Sequence, residues 1–285
     1  MPPGAHNIEM VERRQFSLKS SSAVNVLELM ASADSNHDGS LLRLERDEVH
    51  VWYVGVDEVG DPCPADDEKT LSLDEQSRGA RFVFEKDRRL YLAAHVLARS
   101  VLSKYAAVAP SEWRFESEPG GKPRISGPAG VPALRFNLSH THGLAAVAVT
   151  LDDEIGVDVE RITSPVDMDL ARNCFSPGEI AWLDSTPAAE QPNRFFEIWT
   201  LKEAYLKARG TGLSLPLKEF SVCAMGDVAA TISFCGSIVD DPAAWQFHRS
   251  QITPQHQLAV AVRRPTASPL RLSLREWPAR WNGGR

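Results

Sequence analysis

The hydrophobic pattern marks several elements along this chain. His50-Val51-Trp52-Tyr53-Val54-Gly55-Val56 is rich in β-branched and aromatic residues and reads as a strand. Leu144 to Thr150, a run of small residues and valine, reads as another; Asp152-Asp153 breaks it, and Ile155 to Val159 begins the next. Leu258 to Val262 is a strand near the end. Arg88 to Tyr105 carries an imperfect stripe at the helical repeat. Ser176-Pro177-Gly178-Glu179 has the N-cap serine, first-position proline and glutamate three residues on that start a helix. A longer helix is predicted from Asn193 to Arg209, stopped by Gly210 and Gly212. Gly120-Gly121-Lys122-Pro123 reads as a turn.

These elements predict an α+β fold. Gly143-Leu144-Ala145-Ala146-Val147-Ala148-Val149 and Gln257-Leu258-Ala259-Val260-Ala261-Val262 are alike. Each follows a histidine, His142 or His256, and each has a long helix upstream, which hints at two related lobes. The expected division is an N-terminal extension over 1–48, one lobe over 49–152 and a second over 153–285. The extension is serine-rich and polar, and part of it is expected to lack order.

Composition narrows the classes. The chain has 285 residues, 43% apolar and 24% charged, ordinary values for a soluble globular protein. No apolar run approaches the roughly 20 residues of a membrane helix, and the N-terminus lacks a secretory pattern. Cys63, Cys174, Cys223 and Cys235 are scattered with no C-x-x-C pair, which fits a reducing cytoplasm and argues against a zinc site. The net charge of −7 argues against non-specific nucleic-acid binding, so an anion must be held by a local cluster.

Two segments supply candidate chemistry. In Gly156-Val157-Asp158-Val159-Glu160, read as a strand, Asp158 and Glu160 share one face while Val157 and Val159 point into a core. In Trp199-Thr200-Leu201-Lys202-Glu203-Ala204-Tyr205-Leu206-Lys207, read as a helix, Glu203 and Lys207 lie one turn apart. Three carboxylates and a lysine converging on one site would suit a divalent ion holding a phosphate ester. Each segment also has a plainer reading: a strand with its polar face outward, and a helix whose Lys202, Glu203 and Lys207 are solvated while Trp199, Leu201, Tyr205 and Leu206 form core. Asn137-Leu138-Ser139-His140-Thr141-His142-Gly143 reads as a loop whose hydroxyl and imidazole bind phosphate oxygens or satisfy their own backbone. It contains no G-x-S-x-G elbow. Lys122 is a cation on a turn, and Arg78, Arg81, Lys86, Arg88 and Arg89 form a basic cluster around the start of the first long helix.

Taken in order, Gly121-Lys122-Pro123, Phe136-Asn137-Leu138-Ser139-His140, Gly156 to Glu160, Trp199 to Lys207 and Gly210 to Leu217 resemble the 4′-phosphopantetheinyl transferases, and among them the two-lobed Sfp-like type. The resemblance runs from about His50 to Val262. It implies two similar α+β lobes with pseudo-two-fold symmetry and the active site between them. It implies transfer of the phosphopantetheine arm of coenzyme A to a serine of an apo carrier protein, releasing adenosine 3′,5′-bisphosphate. Asp158, Glu160 and Glu203 would hold Mg²⁺, and Lys207 would neutralise phosphate charge. Glu203, directly or through water, would take the serine proton. Lys122, Ser139, His140, Arg78, Lys86 and Lys207 would contact coenzyme A. Leu90 stands where some relatives carry arginine. A monomer in the cytoplasm, with no nucleic-acid or membrane partner, is expected.

One motif stands outside this reading. Asp34, Asn36, Asp38, Gly39 and Glu45 fit a calcium-loop formula, with Leu41 at the usual apolar position and a helix expected over Ala23 to Ala33. Too few residues follow for an exiting helix, and no second loop is present. The alternatives to an active transferase are a coenzyme A-binding regulator without catalysis, a calcium-responsive binding module, and another Mg²⁺-dependent phosphotransferase. The last would need a nucleotide-phosphate loop, and the chain has no G-x-x-x-x-G-K-[ST].

Overall fold

The structure is a computed structural model describing residues 40–56, 69–212, 215–223, 229–265 and 268–278. Asp34, Asn36, Asp38, Gly39, the helix expected over Ala23 to Ala33, and Cys63 lie outside the described residues. Strand β1 (Glu48–Gly55) pairs antiparallel with β5 (Leu144–Leu151), and β5 with β4 (Leu134–Thr141). The last strand, β11 (Arg271–Glu276), returns to lie parallel on the free side of β1, giving the order β11-β1-β5-β4. A second, antiparallel sheet has β10 (His256–Arg263) between β6 (Glu154–Arg161) and β9 (Trp245–Thr253). Two small ribbons pair β2 (Arg114–Ser117) with β3 (Pro123–Gly127) and β7 (Phe220–Cys223) with β8 (Thr231–Phe234). The α-helices are α1 (Leu73–Gly79), α2 (Glu85–Leu102), α3 (Met168–Cys174), α4 (Pro177–Asp184) and α5 (Gln191–Arg209). The fold is mixed α+β. No helix among the described residues is long and apolar enough to cross a membrane.

Strand alternation explains the layering. In β5, Ala145, Val147 and Val149 join Trp52, Val54 and the α2 residues Ala94, Leu97, Ala98 and Val101 in one core. Leu144, Ala146 and Ala148 point the other way and, with Val49 and Val51, meet Val157, Val159, Leu258, Val260 and Val262 of the second sheet. The far face of β10 presents Ala259 and Ala261 to α5, where Ile198, Leu201, Ala204, Tyr205 and Ala208 pack. The layers therefore run α2, first sheet, second sheet, α5. Burying Ile198 or Leu201 contributes about 1.5–3 kcal/mol each before entropy is counted. The two alanine-valine runs alike in sequence, β5 and β10, are each the strand flanked by a helix on one face and the opposite sheet on the other.

The strands predicted at Leu144, Ile155 and Leu258 are present and slightly longer, and the one predicted over His50 to Val56 runs from Glu48 to Gly55. Ser176 and Glu179 form the expected capping box at α4. Gly210, at φ 65°, ends α5 in the left-handed region that glycine enters at no side-chain cost. Helix α2 begins three residues earlier than the stripe suggests and ends at Leu102. Glu85 and Asp87 in its first turn favour that start by meeting the positive end of the helix dipole. The segment Asn137 to Thr141, expected as a loop, is strand: its alternation of Phe136 and Leu138 with Asn137, Ser139 and Thr141 is a two-residue repeat serving two different neighbours.

Candidate active site

Gly156, Asp158 and Glu160 line the face of β6 that meets α5. The helix approaches so closely that a Cβ on Gly156 would stand 2.1 Å from Ala204 O and 2.4 Å from Ala208 N. That contact sets Glu203 and Lys207, one turn apart on α5, against Asp158. Lys207 Nζ donates to Asp158 Oδ1 at 2.6 Å and to Ser139 Oγ at 2.8 Å. Ser139 Oγ donates to Asp158 Oδ1 at 3.0 Å. Asp158 is 3% exposed, and its Oδ2 is buried without a hydrogen-bond partner. An unsatisfied buried carboxylate oxygen is costly and marks a place for a further ligand.

The electrostatics agree. Burial pushes the Glu160 carboxyl up to about 7, and the negative charge of Asp158 adds to the shift; Thr141, Lys207 and Trp199 oppose it. Glu203 is also raised, by burial first and then by Asp158, with Lys207 pulling the other way. Glu160 and Glu203 thus lie beside a lysine that is already paired with Asp158, and burial outweighs its help. Among the described residues no preformed cluster of three histidine, cysteine or acidic side chains is ready to hold an ion. The donor set still suits a hard divalent cation, because such ions take one or two carboxylates and complete their shell with water and phosphate oxygens. The orphaned Asp158 Oδ2 is the observation that makes the fit.

The other predicted residues are placed as follows. His140 stands on the opposite face of β4 from Ser139, toward α2, because neighbours on a strand alternate. Part of its ring reaches solvent, yet crowding strips enough water from it, with His95 and Lys207 nearby, to push its pKa down to about 4. Lys122 belongs to a turn seated on the C-terminal end of α5; Gly120 has no room for a Cβ beside Gly210 O. Lys122 Nζ donates to Ala208 O at 2.8 Å and to Glu154 Oε2 at 2.6 Å, with its side chain only 8% exposed. Arg78 is exposed on α1 and pairs with Asp74 at 2.9 Å. Lys86 is exposed in the first turn of α2.

Some residues emerge only from the structure. Thr141 Oγ1 donates to Glu160 Oε2 at 3.2 Å. Asn137 Oδ1 accepts from the Val157 N–H at 2.9 Å. Lys202, read as a solvated helix charge, is 1% exposed; its Nζ lies 2.8 Å from Glu179 Oε2 and 2.8 Å from Phe220 O. Glu179 also accepts from the Ser176 and Val222 N–H groups, both at 2.7 Å, so the buried pair is fully hydrogen-bonded. The signal for Asn137 and Thr141 was their two-residue spacing from Ser139. Nothing local marks Lys202, whose partner is 23 residues away.

The fold is mixed α+β, and its site gathers three carboxylates and a lysine between β6 and α5. A family model described as "4′-phosphopantetheinyl transferase superfamily" matches residues 154–262, and one described as "4′-phosphopantetheinyl transferase, N-terminal" matches residues 67–152. The 4′-phosphopantetheinyl transferase HetI of Nostoc sp. is 39% identical over 182 residues, covering 64% of this chain and 76% of the relative. The 4′-phosphopantetheinyl transferase psf-1 of Bacillus pumilus is 33% identical over 198 residues, 70% of this chain and 81% of the relative. The 4′-phosphopantetheinyl transferase Sfp of Bacillus subtilis is 30% identical over 195 residues, 68% of this chain and 83% of the relative. This chain belongs to the 4′-phosphopantetheinyl transferase superfamily and is a transferase of its Sfp-like type.

Proposed function

We propose that the protein transfers the 4′-phosphopantetheine arm of coenzyme A to a serine of an apo carrier protein, with Mg²⁺, and releases adenosine 3′,5′-bisphosphate. The observation that carries this reading is the convergence of Asp158, Glu160, Glu203 and Lys207, with one buried carboxylate oxygen left unpaired. The names of the relatives support it. Asp158, Glu160 and Glu203 would hold the ion. Bound there, Mg²⁺ supplies positive charge against the diphosphate. Lys207 places a further positive charge beside Asp158. The serine oxygen forms a bond to the β-phosphorus, the bond from that phosphorus to the bridging oxygen breaks, and the bridging oxygen leaves with the α-phosphate. Glu203, its pKa raised, is suited to accept the serine proton directly or through water.

Lys122, Ser139, His140, Arg78, Lys86 and Lys207 are the proposed coenzyme A contacts. His140 is held neutral by its surroundings, so a phosphate dianion docking beside it would draw a proton onto the ring. The two-lobed division, 49–152 and 153–285, belongs to the same proposal, with the site between the lobes and the protein acting as a cytoplasmic monomer. Incubating apo carrier proteins with coenzyme A and Mg²⁺ tests the reading by mass spectrometry. The expected result is a gain of one phosphopantetheine arm that is lost in Asp158→Ala with the fold intact. Coenzyme A binding without transfer to any carrier would favour the regulator reading instead. Normal turnover by Asp158→Ala would remove the metal assignment.

A further inference from the structure

The hydroxyls of Ser139 and Thr141 stand in the same relation to β6 twice over. Ser139 Oγ donates to Asp158 Oδ1 at 3.0 Å and accepts from the Val159 N–H at 3.3 Å. Thr141 Oγ1 donates to Glu160 Oε2 at 3.2 Å and accepts from the Arg161 N–H at 3.2 Å. Each hydroxyl therefore sits between a carboxylate and the backbone N–H of the next residue. Asn137 continues the row, taking the Val157 N–H opposite Gly156, which has no side chain to hold. The cause is architectural. Strand β6 is the outer strand of its sheet, so the N–H groups of Val157, Val159 and Arg161 find no strand partner beyond it. Alternate side chains of β4 supply the acceptors instead.

We propose that Ser139 and Thr141 are positioning residues that fix the rotation of Asp158 and Glu160, holding one oxygen of each carboxylate and leaving Asp158 Oδ2 for the divalent ion. The inference rests on the metal-binding reading above. For Asp158 the division is explicit: Oδ1 takes Ser139 and Lys207, while Oδ2 is buried and unpartnered. Ser139 has one O–H and two lone pairs. Both lone pairs are engaged, by Lys207 Nζ and the Val159 N–H, and its O–H is committed to Asp158. Groups that hold a metal ligand in place contribute strongly to affinity although they never touch the ion.

The test compares Ser139→Ala and Thr141→Val with the hydroxyl-keeping variants Ser139→Thr and Thr141→Ser. Free Mn²⁺ is titrated by electron paramagnetic resonance in the presence of saturating coenzyme A, and KM for coenzyme A is measured at saturating metal. The hydroxyl-less variants are expected to raise the Mn²⁺ Kd about 10-fold or more, as loss of an outer-shell partner does elsewhere, with the hydroxyl-keeping variants near wild type. For Thr141→Val, KM for coenzyme A should stay within about twofold, because Thr141 is not among the coenzyme A contacts. Unchanged Mn²⁺ affinity in the hydroxyl-less variants would overturn the inference, whatever KM for coenzyme A does. Wild-type protein that binds no Mn²⁺ would overturn the metal reading itself, a different result from wild-type binding that the variants leave untouched. Thr141→Val is isosteric, so the test survives if Ser139→Ala does not fold.

Discussion

Gly156→Ala probes the contact on which the site is built. The added methyl carbon would fall 2.1 Å from Ala204 O and 2.4 Å from Ala208 N, both backbone atoms of α5 that no side-chain rotation can move. Restoring a tolerable separation requires the helix to retreat by roughly 1.5 Å, given that non-bonded heavy atoms settle about 3.5–4.0 Å apart. Lys207 and Glu203 ride on that helix. The Lys207 Nζ to Asp158 Oδ1 bond, now 2.6 Å, would open beyond hydrogen-bonding distance. Overpacking of this kind costs about 1–3 kcal/mol of stability. A misplacement of that size in a catalytic group costs about 100-fold in rate. Carrier-protein transfer followed by mass spectrometry gives kcat/KM, and thermal denaturation shows whether the variant is folded at the assay temperature. Gly55→Ala is the control, since a Cβ there meets no heavy atom within 4 Å. A Gly156→Ala protein with wild-type Tm and wild-type kcat/KM would refute the argument that backbone proximity sets the site.

Two other predictions follow from buried charge. Lys202→Met leaves Glu179 buried without its counter-ion and should destabilise the fold by about 3–5 kcal/mol, measured by chemical denaturation; a loss under about 1 kcal/mol would show that the pair is not a structural anchor. His50 is 4% exposed, with its Nδ1 2.8 Å from Tyr105 OH, and burial, aided by Arg275, lowers its pKa to about 4. A His pKa depressed on folding means stability is full above the unfolded value near 6.5 and drains as pH falls toward 4; about 2.5 kcal/mol should be lost by pH 4.5. Tm measured at pH 4.5 and 7 should show that loss, and a His50→Gln protein with the same pH dependence would assign it to other groups.

The sequence made the three site carboxylates legible because their spacing is local. Asp158 and Glu160 obey a two-residue repeat, Glu203 and Lys207 a four-residue one, and each repeat survives in the fold. The same local logic reached the Ser176 capping box and the Gly210 helix stop. It failed where the deciding neighbour is remote. Ser139 and Thr141 read as loop residues because polar side chains in that run look solvated, whereas in the fold they satisfy the free edge of β6, about twenty residues onward. Lys202 read as surface because lysine usually is, and only Glu179 and the Phe220 carbonyl make its burial tolerable. Lys122 was legible as a cation on a turn. Its engagement with Glu154 and the end of α5 was not, because the packing of Gly120 against Gly210 comes from tertiary contact.

The return of β11 to the flank of β1 has a consequence for how the molecule is made. Synthesis on the ribosome proceeds from the N-terminus, so β1, β5 and β4 emerge long before residues 271–276. Until then one border of the first sheet presents bare amide and carbonyl groups to any other extended chain. A chain lacking residues 271–276 would leave that border open to edge-to-edge association.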